Sequence, residues 1–116
     1  MKVMCPERAV LEHLTSRWGV LVLCALLGGT RRFGELRREV GEVSEKMLTQ
    51  TLRTLERDGF VRRVAHPVIP PHVDYDLTAL GEQAARQIRA LSRWTEEHLP
   101  DVSAARDAYD TRPTAG

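Results

Sequence analysis

Lys46, Thr49, Gln50 and Arg53, followed by Arg57, recur at spacings that put them on one face of a helix. Leu48, Leu52 and Leu55 fall at i, i+4 and i+7 on the opposite face, with Met47 beside them. A helix that buries the leucines presents the polar set to solvent, and that set has the chemistry needed to read a DNA major groove. Arg and Lys donate to guanine O6 and N7, Gln pairs with adenine N6 and N7, and the Thr methyl meets the thymine methyl. An ordinary solvated helix face has a similar composition, so the surrounding sequence must decide between the two.

Ser44 is placed to cap this helix, predicted to run to about Asp58, where Gly59 supplies the left-handed stop. The Ser44 hydroxyl and the free N–H groups of the first turn are suited to a phosphate. Upstream, Thr30 caps a predicted helix over 31–40 whose Phe33, Leu36 and Val40 face inward. Arg31, Arg32, Arg37 and Arg38 on that helix are available to flanking phosphates, with Glu35 and Glu39 competing for them. Gly41-Glu42-Val43 joins the two helices, which predicts a helix-turn-helix over about 31–58. Segments 60–65 and 73–77 alternate like strands, and the three prolines between them favour a stiff, extended loop. This hairpin, over about 60–77, fits the wing of a winged helix. Its apolar tip, Val68 to Pro71, suits sugars or a minor groove, while Arg62, Arg63, His66 and His72 supply charge at its base.

The remaining elements position this pair. Pro6 opens a short helix with Val10, Leu11 and Leu14 along one side. Ser16 caps a helix over 17–27 that is apolar all round, predicted to be central and buried, and ended by Gly28-Gly29. Thr78 caps a long last helix over about 79–98, with Leu80, Ala84, Ile88, Leu91 and Trp94 along one side and Pro100 marking its end. The composition of 101–116 reads as a flexible tail. The predicted fold class is α+β, mainly α: a winged helix-turn-helix in one domain over 1–100 with extra N- and C-terminal helices.

The whole-chain charge of +1 conceals this arrangement. Residues 31–63 hold nine Lys/Arg against six Asp/Glu, a net +3, whereas 96–116 hold two against five, a net −3. A basic middle and an acidic end nearly cancel. Enzyme chemistry is not expected: no Gly-rich phosphate loop, and no nucleophile in a recognised setting, occurs among the 116 residues. His13, His66, His72 and His98 match no structural zinc spacing, so neither a metal nor a cofactor is expected. The longest uncharged stretch, Trp18 to Thr30, has 13 residues, short of the ~20 that a membrane helix needs. With no secretory signal, Cys5 and Cys24 read as free thiols in a reducing compartment, which predicts a cytoplasmic protein with no membrane partner.

Several motifs occur in series: Cys5-Pro6, Arg17-Trp18, Arg32-Phe33-Gly34-Glu35-Leu36-Arg37, Ser44-Glu45-Lys46-Met47-Leu48-Thr49-Gln50, Leu55-Glu56-Arg57-Asp58-Gly59, Pro70-Pro71-His72-Val73-Asp74-Tyr75 and Leu77-Thr78-Ala79-Leu80-Gly81. Together they resemble the HxlR-type winged-helix transcription regulators over about residues 5–98. The resemblance implies a homodimeric regulator, often a repressor of a nearby gene, that binds a palindromic operator in double-stranded DNA through the Ser44 helix and the wing. It also implies dimerisation through the first and last helices, to which Leu11, Leu14, Leu91 and Trp94 belong. Several members carry a cysteine ahead of the first helix that senses oxidants, quinones or reactive aldehydes, and Cys5 occupies that position. A helix start with Lys2 and Arg8 close in sequence favours a thiolate there, although an inert helix-start cysteine fits the same sequence. Cys24, within the apolar helix, is expected to pack as a small hydrophobe. The rival readings are a winged-helix module that binds protein, and a regulator answering a small molecule at the dimer interface near Trp18 and Trp94.

Overall fold

A computed structural model describes residues 6–113. Cys5 and Lys2 lie outside them, so the Cys5 expectation has no structural counterpart here. Hydroxyl caps open three of the helices, as the sequence predicts. Ser16 Oγ accepts from Gly19 N at 3.1 Å, Ser44 Oγ from Met47 N at 3.0 Å and Thr78 Oγ1 from Gly81 N at 2.9 Å. The elements are α1 (Pro6–Thr15), α2 (Arg17–Leu27), β1 (Arg31–Arg32), α3 (Phe33–Val40), α4 (Glu45–Arg57), β2 (Val61–His66), β3 (His72–Leu77), α5 (Ala79–Glu97) and α6 (Leu99–Asp110). The antiparallel sheet has the order β1-β3-β2, with Arg31 opposite Tyr75 and Arg63 opposite Tyr75 from the other side.

Helix α2 is the centre of the core, as predicted, although it is not buried all round: Leu21 is exposed. Val22, Leu23 and Leu26 are buried among Leu36 and Val40 of α3, Leu48, Leu52 and Leu55 of α4, and Phe60, Val61 and Ala85. Trp18 packs against the edge of this cluster. Gly41 turns the chain between α3 and α4 at φ +93, a conformation that strains any residue with a Cβ, and Val43 in the same turn is buried. Helix α5 runs hard against the chain at Phe60: a Cβ on Gly81 would stand 1.8 Å from the Phe60 carbonyl oxygen. The result is a mainly helical winged helix-turn-helix.

Several expectations are corrected. Arg31 and Arg32 form a two-residue strand rather than the first turn of α3, because pairing with Tyr75 and Asp74 of β3 competes with helix at that point. Glu35 then closes the start of α3 by accepting from Arg32 N at 2.7 Å. The inward side of α5 consists of Gly81, Ala84, Ala85 and Ile88, while Leu80 is exposed, because the close approach at Gly81 rotates the helix. Met47, expected beside the core leucines of α4, is exposed, at 42%; of the residues expected at a dimer interface, Leu14 is half-buried and Leu11, Leu91 and Trp94 are exposed. The expected tail is helical over Leu99–Asp110. Pro100 does follow the end of α5, but it lies in the first turn of α6, where a missing N–H costs nothing. No residue of α6 is buried, and its Leu99, Val102 and Tyr109 are exposed, as Leu91 and Trp94 are on α5.

Candidate nucleic-acid interface

The helix-turn-helix is α3 and α4. On α4 the buried side is Leu48, Leu52 and Leu55, and Lys46, Gln50 and Arg53 are exposed with Thr49 half-buried between them. With Glu45 they line one shallow depression on the outer face. The side chains of Lys46, Gln50 and Arg53 carry no hydrogen bond or ion pair among the described residues, so their donors are available to a ligand. Ser44 Oγ is engaged as an acceptor by the cap, which leaves its own proton to donate. Beside it the first turn of α4 offers backbone N–H groups that no intrahelical carbonyl takes.

The basic residues of β1 and α3 divide into two kinds. Arg31 is tied to Glu39 and donates to the Thr30 carbonyl at 3.1 Å. Arg37 braces the turn, donating to the Val43 carbonyl at 3.2 Å and to Glu45 Oε1 at 3.1 Å. Arg32 and Arg38 are exposed and make no such side-chain contact among the described residues. Of the four cations that the sequence offers to phosphates, two therefore serve the fold and two remain available.

Strand alternation sorts the wing residues in the same way. Arg62, Val64 and His66 share a face with Asp76, Asp74 and His72, while Val61, Arg63 and Ala65 share the other with Leu77, Tyr75 and Val73. Arg62 is committed to Asp76 by two bonds of 3.0 and 2.6 Å, and this bidentate partner raises its pKa further. His66 Nε2 lies 2.9 Å from Asp74 Oδ2. His72 stacks on His66 with 4.6 Å between ring centroids. Arg63 lies on the opposite face, where with Tyr75 it forms a groove against Thr49, Leu52, Arg53 and Glu56 of α4. Thus the structure brings Lys46, Thr49, Gln50 and Arg53 together and adds Arg63, while Arg62, His66 and His72 point away from that groove. Strand register marks Arg63 out, because it is two residues from buried Val61. Pro70 sits in the exposed loop at the far end of the wing, beside Val68 and a fully exposed Ile69.

A second polar link joins distant parts of the chain. His13 Nδ1 of α1 is 2.6 Å from Oδ2 of Asp58, the residue that caps the C-terminus of α4. A carboxylate only accepts, so the imidazole is the donor. On α2, Cys24 is half-buried and is a free thiol; burial raises its pKa, and Arg89 offsets this in part. No single described helix is long and apolar enough to cross a membrane.

Comparison with known proteins agrees with this geometry. The sequence model of the HxlR-like helix-turn-helix family matches residues 13–103. The chain is 60% identical over 103 residues to the uncharacterized HTH-type transcriptional regulator YtfH of Escherichia coli K12, covering 89% of this chain and 82% of that one. The solved structure of the transcriptional regulator ytfH from Salmonella typhimurium superposes with a TM-score of 0.83 at 57% identity, covering 91% of this chain and 95% of that one. The redox regulator HypR in its oxidized form superposes with a TM-score of 0.73 at 32% identity, covering 80% and 96%. With a family match over most of its length and the helix-turn-helix and wing in place, this chain belongs to the HxlR-like helix-turn-helix family of DNA-binding transcriptional regulators.

Proposed function

We propose that the chain is a sequence-specific repressor that binds a palindromic operator as a homodimer, with no catalytic step of its own, and that it works in the cytoplasm, where chromosomal DNA lies. The observation that carries this reading is the row of unpaired Lys46, Gln50 and Arg53 with Thr49 on the outer face of a capped helix. Base contacts fall to this row, and phosphate contacts to Ser44, Arg32, Arg38 and Arg63. The dimer reading is supported by exposed Leu11, Leu91 and Trp94, which are 58%, 62% and 51% accessible and lie on the first helix and the end of α5. A response to oxidants or electrophiles through Cys5 is supported by its place ahead of α1 and by the redox regulator HypR among similar structures. Helix α1 would carry that signal to α4 through His13 and Asp58.

The test is binding to the DNA upstream of the chain's own gene, compared with random DNA of equal length. Affinity for the operator is expected to fall by about 10³-fold or more between roughly 50 and 200 mM salt, and to exceed the random affinity throughout. Equal affinity for the two DNAs would overturn the reading. Diamide is expected to release the operator from the wild-type protein and leave Cys5→Ser bound; release of both would remove the sensing role.

A further inference from the structure

We propose that His66, His72 and Asp74 form a binding site for one divalent transition-metal ion of the zinc class at the neck of the wing. Linear spacing hides this group, since five residues lie between the histidines, and no metal is expected from the sequence. The hairpin changes that. Strands β2 and β3 place His66 directly opposite His72, and Asp74, two residues further along β3, returns to the same face. One ligand atom from each residue lies within 4.8 Å of the others. Asp74 Oδ2 is 2.9 Å from His66 Nε2 and 3.9 Å from His72 Nε2. Two donors bound tetrahedrally to one zinc ion at about 2.0–2.1 Å stand roughly 3.3 Å apart, which these two separations bracket, and the two imidazole nitrogens must close from within 4.8 Å to the same spacing.

The donor set also selects the ion. Two imidazole nitrogens and one carboxylate oxygen suit zinc, copper or nickel, whereas calcium and magnesium prefer oxygen alone. The three side chains are 39%, 23% and 27% exposed, which leaves a fourth position open to water. A plain ion pair accounts for only part of the group. It satisfies His66, yet leaves His72 stacked on it with Nε2 too far from Asp74 for a hydrogen bond. An ion uses both rings: each imidazole gives its Nε2 lone pair and keeps its proton on Nδ1. A bound divalent ion would bring two positive charges to this end of the wing and join the two strands at the mouth of the 67–71 loop. A further gain in phosphate attraction would rest on the operator reading above; the site itself does not.

The experiment is therefore run without DNA, so that its outcome is separate from that of operator binding. The full chain carrying Cys5→Ser and Cys24→Ser, which removes competing thiols, is stripped of metal and titrated with Co²⁺. One Co²⁺ per chain is expected, with the visible absorption of a four-coordinate ion, which Zn²⁺ then bleaches by displacement. His66→Gln, His72→Gln and Asp74→Asn should each weaken binding by about 100-fold or more, since even second-shell losses reach that size. His98→Gln should leave binding unchanged, and circular dichroism of each variant confirms the fold. No uptake by the parent protein overturns the proposal, as does uptake that persists in the His66→Gln/His72→Gln double variant.

Discussion

His13 donates across 2.6 Å to Asp58, so α1 is fastened to the residue that ends α4. The contact spans 45 residues of sequence, and the Asp58 side chain is only 10% exposed. Losing the imidazole leaves a nearly buried carboxylate without its donor, which costs more than the bond itself contributes. His13→Ala is expected to lower stability by about 1–2 kcal/mol and Asp58→Ala by a similar amount. The double variant should lose less than the sum, a coupling that thermal unfolding of the four proteins measures.

Arginine neighbours on β2 should behave oppositely. Arg63→Ala removes a guanidinium from the groove beside Thr49 and Arg53, and it is expected to weaken operator binding and to reduce the salt slope by about one. Arg62→Ala removes the partner of Asp76 on the other face and should leave operator affinity nearly unchanged. Filter binding or fluorescence anisotropy across a salt series distinguishes them; equal losses from the two substitutions would contradict the assignment of faces.

Gly81→Ala tests the close approach of α5 to Phe60. An added Cβ would sit 1.8 Å from the carbonyl oxygen and 2.7 Å from its carbon, both backbone atoms that cannot rotate away. A loss of about 3 kcal/mol is expected, at the upper end of overpacking costs, read as a lowered Tm by calorimetry. Gly34→Ala is the control: its nearest atom is the tip of Arg38 at 3.8 Å, and at this helical position alanine should be neutral or stabilising.

Cys24 gives a pH dependence of known sign. Burial raises its thiol pKa, so the folded chain holds this proton more tightly than the unfolded chain does. The associated stability is fully present below the unfolded pKa and is lost as pH rises through the higher folded value. In a Cys5→Ser protein, alkylation of Cys24 by iodoacetamide should therefore have its midpoint above that of an ordinary cysteine, and denaturant should move it down. A midpoint below the ordinary value would show that Arg89 outweighs burial.

What the sequence makes legible here is what local chemistry decides. Ser16, Ser44 and Thr78 are visible as caps because each hydroxyl bonds to a nitrogen three residues on. The outer face of α4 is visible because Leu48, Leu52 and Leu55 fix its rotation. Features set by distant partners are not. Nothing in Arg31-Arg32 announces a strand, since its only reason to extend is β3, more than 40 residues away. The commitment of Arg62 to Asp76, and the availability of Arg63, follow from hairpin register. Helix α6 escapes notice because none of its residues is buried and its few apolar residues are set among Asp, Ser, Ala and Arg, a composition that reads as a tail, while Pro100 reads equally as a stop and as a first turn.

Strand β1 has a mechanical consequence. It ties the chain just before α3 to β3, the central strand of the sheet, while Leu48, Leu52 and Leu55 tie α4 to the same core. Helix α4 and the wing are thereby mounted on one frame, like the two jaws of a gauge. The setting of one jaw therefore fixes that of the other, and α1 and α6 lie outside this frame, with no buried residue on either.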